Sequence, residues 1–138
     1  MGPEISKRIG VENGTPQGSV VSPLLFNIMI NSIFSNVQPG IVRSLFADDS
    51  SLWKRGKNVK HIVKKLQESI TQVEEWGKKW GLRFSMEKTK TMFFTIKKID
   101  EEIKVRLYDK NVERVKSFKF LGLFFDERIT WRVHITKV

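Results

Sequence analysis

The sequence predicts an α+β domain in which an antiparallel sheet carries two helices on one face. Three observations predict it. From Val59 to Trp80, apolar residues recur at helical spacing (Val59, Ile62, Val63, Leu66, Ile70, Val73, Trp76 and Trp80), with lysines and glutamates between them. "IVRSLFADDSSLW", from Ile41 to Trp53, reads as strand, turn, strand. Ile103, Val105 and Leu107 alternate ahead of a turn at Asp109 to Asn111, which marks a further hairpin.

The other elements follow in chain order. "MGPEISKRIGVENGTPQG" is rich in Gly, Pro and Asn and reads as irregular or hairpin structure, with a turn at Asn13 to Thr15. Ser22 followed by Pro23 starts a helix, since serine caps and proline suits the first helical position, where its missing N–H would be unpaired anyway. "SPLLFNIMINSIFSNV" then predicts a buried helix ending before Pro39-Gly40. The helix Ser22 begins and the one Val59 begins should pack on a sheet centred on the "FADD" hairpin. Gly81 stops the second helix. "LRFSMEKTKTMFFTI" predicts a strand or two with a polar middle, "FKFLGLFFD" a last apolar strand, and "ERITWRVHITKV" the start of a helix. Three or more strands with two helices can form a core.

The chain has 138 residues, which fits one domain, and its 40% hydrophobic and 29% charged content is globular rather than disordered. With no cysteine, disulfides and zinc-thiolate centres are excluded. No apolar run has bilayer length and no signal-peptide pattern opens the chain, so an intracellular location, nuclear or cytoplasmic, is expected with no membrane partner. The formal charge of +10 makes a polyanion such as nucleic acid the natural partner.

Asp48-Asp49 is the chemically telling pair. Neighbouring side chains on an extended strand point to opposite faces, so the two acids share one destination only where the chain turns. Such a tip is either a solvated turn or a place where cations gather. "GTPQGS" is by itself only a turn. Trp53, Trp76 and Trp80 read as core residues, while Trp131 is left between core and base stacking.

Order and company change the weight of these motifs. "GTPQGSVVSPLLFNIMIN", "FADD", "WGLRFSMEKTKTMFF" and "FKFLGLFFDERITW" resemble, in that order, motifs B, C, D and E of the reverse transcriptase of non-LTR (LINE-type, jockey-like) retrotransposons, specifically its palm subdomain. The resemblance implies an RNA-directed DNA polymerase palm over residues 1–125, with 126–138 the start of a thumb or a loosely held tail. It implies that Asp48 and Asp49 are catalytic metal ligands for Mg²⁺ or Mn²⁺, with Asp48 the stronger ligand. In this chemistry two ions stabilise the attacking and leaving oxygens at a phosphate, and oxygen ligands suit them. Pro16, Gln17 and Gly18 match residues near the incoming nucleotide and template. Lys88 matches a lysine that protonates or neutralises the leaving pyrophosphate, and Phe120, Leu121 and Gly122 match the primer grip. The implied partners are an RNA/DNA duplex and deoxynucleotides.

The chain departs from the family pattern in one consequential way. The motif A aspartate, on a strand beside the motif C hairpin, is not in this sequence, nor are the fingers and most of the thumb. Asp126 imitates a motif A acid, but its place directly after "FLG" argues for a surface position. The expectation is therefore that the isolated chain carries the metal-binding pair without polymerising alone. A missing neighbour strand would also leave an open sheet edge, which motivates a homodimer. The alternatives are a basic nucleic-acid-binding module or a protein-interaction module derived from such a polymerase. Smaller departures, Phe46 for tyrosine, Ser32 for aspartate, Ser50-Ser51 for small residues and Ser85 for asparagine, remove no ligand.

Overall fold

The computed structural model describes residues 18–137, so the reading of the first segment, its turn at Asn13 to Thr15, and the positions of Pro16 and Gln17 lie outside the described residues. The architecture is α+β and divides into two units, one ending at Ser32 and one running from Ile33. No helix among the described residues is long and apolar enough to cross a membrane.

The first unit holds α1, Ser22–Ile30. Its cap is Val21 rather than Ser22, which sits one position inside, and proline follows in the first turn as expected. The helix is shorter than predicted. At its end the Ser32 hydroxyl donates to the Met29 carbonyl (2.7 Å), a local bond that competes with further helical pairing. Turns follow over residues 31–36. The helix is also not buried: Leu24, Leu25 and Ile28 are exposed, while Ile30 is covered.

The second unit opens on a covered apolar stretch, Ile33, Phe34, Val37 and Ile41, whose Phe34 carbonyl accepts from the Arg43 guanidinium at 3.1 Å. The expected strand, turn, strand follows as β1 (Val42–Phe46) and β2 (Asp49–Trp53), antiparallel, with Val42 opposite Trp53 and Phe46 opposite Asp49.

The strongest sequence pattern gives the longest element, α2, Val59–Trp80. Asn58 caps it by accepting from the His61 N–H, and Gly81 ends it in a left-handed conformation (φ 68°) that favours glycine. Its inner face covers Val73, Gly77 and Ser69, the serine hydroxyl being turned back to the Lys65 carbonyl. Trp53 and Trp80 are exposed, against the expectation that they are core, and Trp76 is half-buried with its ring 6.3 Å from that of Trp80. At the end of the stripe Gly77 is still buried, close to Phe84, while Trp80 lies on the open side.

What α2 packs against is the second expected hairpin, β4 (Arg106–Leu107) and β5 (Lys110–Asn111). Its turn falls at Tyr108-Asp109, slightly earlier than predicted, and both residues have positive φ. Val105, Leu107 and Val112 form a buried cluster there, joined by Val63, Ile70, Phe84, Met86 and Tyr108. Polar bonds fix the register. The Gln67 amide both donates to the Arg106 carbonyl (3.0 Å) and accepts from the Arg106 N–H (2.8 Å). Glu74 accepts from the Tyr108 N–H at 2.9 Å, and the Tyr108 hydroxyl accepts from the Phe84 N–H at 2.8 Å.

The single sheet expected from the sequence resolves into four two-stranded ladders among the described residues. β3 (Lys90–Thr91) pairs with β6 (Glu113–Arg114) in parallel, supported by the Lys90–Glu113 ion pair, and these two-residue strands are too short to bridge their neighbours. Most of "LRFSMEKTKTMFFTI" is therefore irregular rather than strand. The apolar run "FKFLGLFFD" is likewise two strands, β7 (Ser117–Phe120) and β8 (Leu123–Asp126), folded at Leu121-Gly122. The expected terminal helix is α3, Arg132–Lys137, which packs on β8. The Trp131 ring lies 5.8 Å from Phe125 and 6.4 Å from His134.

Candidate active site at the β1–β2 tip

The register of β1 and β2 explains how two adjacent aspartates share one destination. Phe46 pairs with Asp49, leaving Ala47 and Asp48 as a two-residue loop, so Asp48 rides on the turn while Asp49 is the first residue of the returning strand. Both acids are exposed at the tip. Cross-strand pairs share a face, which places Asp49 with Val42, Ser44, Phe46, Ser51 and Trp53. That face is open, with Phe46 66% and Trp53 53% exposed.

The turn is strained. Ala47 has φ 51°, a left-handed conformation that costs an ordinary residue about 1–2 kcal/mol and that glycine or asparagine would take more readily. Strain held at a polar tip is a pointer to function rather than to stability. No hydrogen bond or ion pair engages either carboxylate among the described residues. Two carboxylates supply the hard oxygen donors that Mg²⁺ or Mn²⁺ accepts, and such ions retain waters for the rest of their shell. The donor set fits in kind. Among the described residues no group of three or more His, Cys, Asp or Glu is gathered to hold a metal.

The remaining candidate residues occupy separate elements. Gly18, exposed, has φ 88° with no atom within 4 Å of a would-be side chain, so its backbone conformation rather than crowding is what favours glycine there. Lys88 is exposed in the turn before β3, its N–H donating to the Ser85 hydroxyl at 3.3 Å. Among the described residues no bond joins it to Asp48 or Asp49. Phe120, Leu121 and Gly122 form the corner of the β7–β8 hairpin, and positive φ at both Leu121 (47°) and Gly122 (83°) gives the tight turn that matches strand twist. Phe120 is half-buried, and Leu121 is exposed instead of packed in the core.

Asp126 is where the sequence reading errs. It is 9% exposed rather than on the surface. Its carboxylate accepts from the Arg128 N–H (2.9 Å), the Thr130 N–H (3.0 Å) and the Thr130 hydroxyl (3.0 Å). Burial raises its pKa, but the bonds from Thr130, Arg128 and Trp131 outweigh burial and hold it below the ordinary carboxylate value. This acid organises the loop into α3. The signal was present in "DERIT", since Asp bonds local N–H groups a few residues ahead.

Comparison with known proteins bears on the same motifs. A family model described as reverse transcriptase (RNA-dependent DNA polymerase) matches residues 3–125. The chain is 24% identical over 131 residues to the RNA-directed DNA polymerase from mobile element jockey of Drosophila melanogaster, covering 91% of this chain and 14% of that protein. It is 29% identical over 128 residues to a Pol polyprotein from type-1 retrotransposable element R1 2 of Nasonia vitripennis, covering 88% of this chain and 31% of that one. It is 26% identical over 140 residues to a probable RNA-directed DNA polymerase from transposon X-element of Drosophila melanogaster, covering 97% and 15%. The chain thus spans less than a third of the length of these relatives. No solved structure matches it. The match over residues 3–125 contains the strained acidic hairpin whole, and on that match the chain belongs to the reverse transcriptase (RNA-dependent DNA polymerase) family.

Proposed function

We propose that this chain is part of the palm of a retrotransposon RNA-directed DNA polymerase, and that Asp48 and Asp49 hold its divalent metal. The observation that carries the reading is the β1–β2 tip, where a strained two-residue turn presents two exposed carboxylates together. When bound, Mg²⁺ or Mn²⁺ would supply charge stabilisation for the attacking and leaving oxygens of nucleotidyl transfer. Asp48 and Asp49 bind and orient it. Lys88 holds a proton for the leaving pyrophosphate, Pro16, Gln17 and Gly18 position nucleotide and template, and Phe120, Leu121 and Gly122 support the primer end. A pair of acids is part of a two-metal site, and extension requires a further carboxylate brought beside it.

The test is manganese binding by calorimetry, with primer extension on an RNA template and a DNA primer, for wild type and Asp48→Asn. The expected result is metal binding that Asp48→Asn abolishes and extension by neither protein alone. Equal binding by the two would overturn the metal assignment. Extension by wild type that Asp48→Asn removes would overturn the dependence on a further acid.

Among the described residues β1 and β2 pair only with each other, so each keeps an open edge. We propose that a second copy occupies one of them, since open edges recruit strands. A sedimentation mass of twice 16.1 kDa is expected, and a monomer mass at tens of micromolar would refute it.

A further inference from the structure

Between Asp49 and Glu68 the chain carries six lysines and arginines and no acid. Lys54 is engaged with the Gly40 carbonyl at 3.0 Å and Lys65 with Glu68 at 3.3 Å. The other four, Arg55, Lys57, Lys60 and Lys64, are exposed and make no ion pair with any described residue. Arg55 and Lys57 lie in the loop that leads into α2, and Lys60 and Lys64 stand one turn apart on it, about 6 Å along the axis.

This arrangement works against the helix. The N-terminal end of a helix is partially positive, so acids stabilise its first turn and cations do not. α2 has no acid there and places Lys60 instead, with Lys57 just ahead and Lys64 one turn on. The mutual repulsion is relieved when an anion lies against the cluster; Glu68, Asp100 and Glu102 share a cavity with Lys60 and Lys64 but form no ion pair with them, and no described acid pairs with Arg55 or Lys57. Towards the helix C-terminus the patch stops at Glu68, which with Asp100 and Glu102 faces the cavity that Lys60 and Lys64 also line.

We infer that Arg55, Lys57, Lys60 and Lys64 contact the phosphate backbone of a nucleic-acid duplex. Two features select a row of phosphates over a single phosphate group. The His61 N–H is taken by the Asn58 side chain (3.1 Å) and the Ile62 N–H by the Asn58 carbonyl (3.0 Å), which leaves fewer N–H groups at the helix end to cradle a single phosphate. The four cations, one arginine and three lysines, stand on separate long side chains, which suits a linear polyanion read through its backbone. The inference deepens the nucleic-acid partner proposed above and rests on that reading, but not on the aspartate pair.

The experiment is fluorescence anisotropy of the full chain with a short RNA–DNA hybrid across about 50 to 200 mM salt. Wild type is compared with the fourfold variant Arg55→Gln, Lys57→Gln, Lys60→Gln, Lys64→Gln, and with a charge-matched control, Lys78→Gln, Lys79→Gln, Lys97→Gln, Lys98→Gln. Glutamine matches lysine and arginine in helix propensity, so the fold is kept. The expected result is a salt slope smaller by about three and an affinity lower by more than about tenfold for the patch variant, with little change for the control. Equal losses in the two variants would show that net charge alone binds, and would overturn the assignment. Binding of polyglutamate as tight as binding of the hybrid would overturn it in favour of an acidic protein. If wild type binds neither polymer, the nucleic-acid reading itself fails, whatever manganese does at Asp48 and Asp49.

Discussion

The β1–β2 and β7–β8 hairpins both turn through two residues and both carry aspartate, yet they place it in opposite settings. In β7–β8 the acid is at the base of the hairpin, where Asp126 is buried and saturated by Thr130 and Arg128. In β1–β2 the acids are at the tip, exposed and without a bonding partner among the described residues. A carboxylate that serves structure finds its donors within the chain, because burial without them is costly. The acids proposed to hold metal at the β1–β2 tip have no such donors among the described residues. The difference separates Asp126 from the Asp48-Asp49 pair, although each follows an apolar stretch in the sequence.

The largest expected effect tests the structural side. Asp126→Ala strands the donors of Thr130 and Arg128 and should lower the melting temperature far more than Asp48→Ala, as followed by circular dichroism. Equal shifts would erase the distinction. The same contrast is expected in acid. Because its pKa is lowered in the folded chain, Asp126 contributes stability that is fully present above the ordinary carboxylate value, about 3.9, and is lost as pH falls through the lower folded one. The acid-induced loss of stability should therefore shrink in Asp126→Asn, and an unchanged acid profile would count against the hydrogen-bonded role.

A smaller effect sharpens the comparison at the turns. Gly122 has φ 83° with open space around it, so Gly122→Ala should cost about 1 kcal/mol from backbone conformation alone. Ala47 sits at φ 51°, so Ala47→Gly relieves strain and should stabilise by up to about 1 kcal/mol in urea unfolding. If the tip geometry matters for metal, Ala47→Gly should at the same time weaken manganese binding. A variant that is more stable and binds as tightly would remove the functional reading of the strain.

Much of this was legible beforehand where local chemistry and packing agree. The α2 stripe, its glycine stop and the turn within "FADD" are each specified by a handful of adjacent residues, and each appears where expected. Burial was less legible. The apolar α1 is as hydrophobic as a core helix, but Leu24, Leu25 and Ile28 are exposed, because burial depends on what else is present to cover a face. "FKFLGLFFD" read as one strand because its turn residue, Leu121, is not a turn former, and only the glycine beside it marked the corner. The burial of Asp126 is hard to read from the sequence because its partners lie ahead of it, in a loop whose shape it creates.

Gln67 reaches a peptide group rather than a side chain, and through both of its amide atoms. It stands in for a neighbouring strand, completing at residue 106 the pairing that a ladder would give. A joint made this way is blind to the identity of the residue it grips. The exposed Arg106 side chain is therefore free to drift through evolution or to be redesigned, while the helix position is intolerant. Even the isosteric Gln67→Glu, which loses the donor, would face the Arg106 carbonyl with a like charge. The polar half of the helix-to-hairpin joint is thus written in the helix, and the apolar half is shared with Val105, Leu107 and Val112.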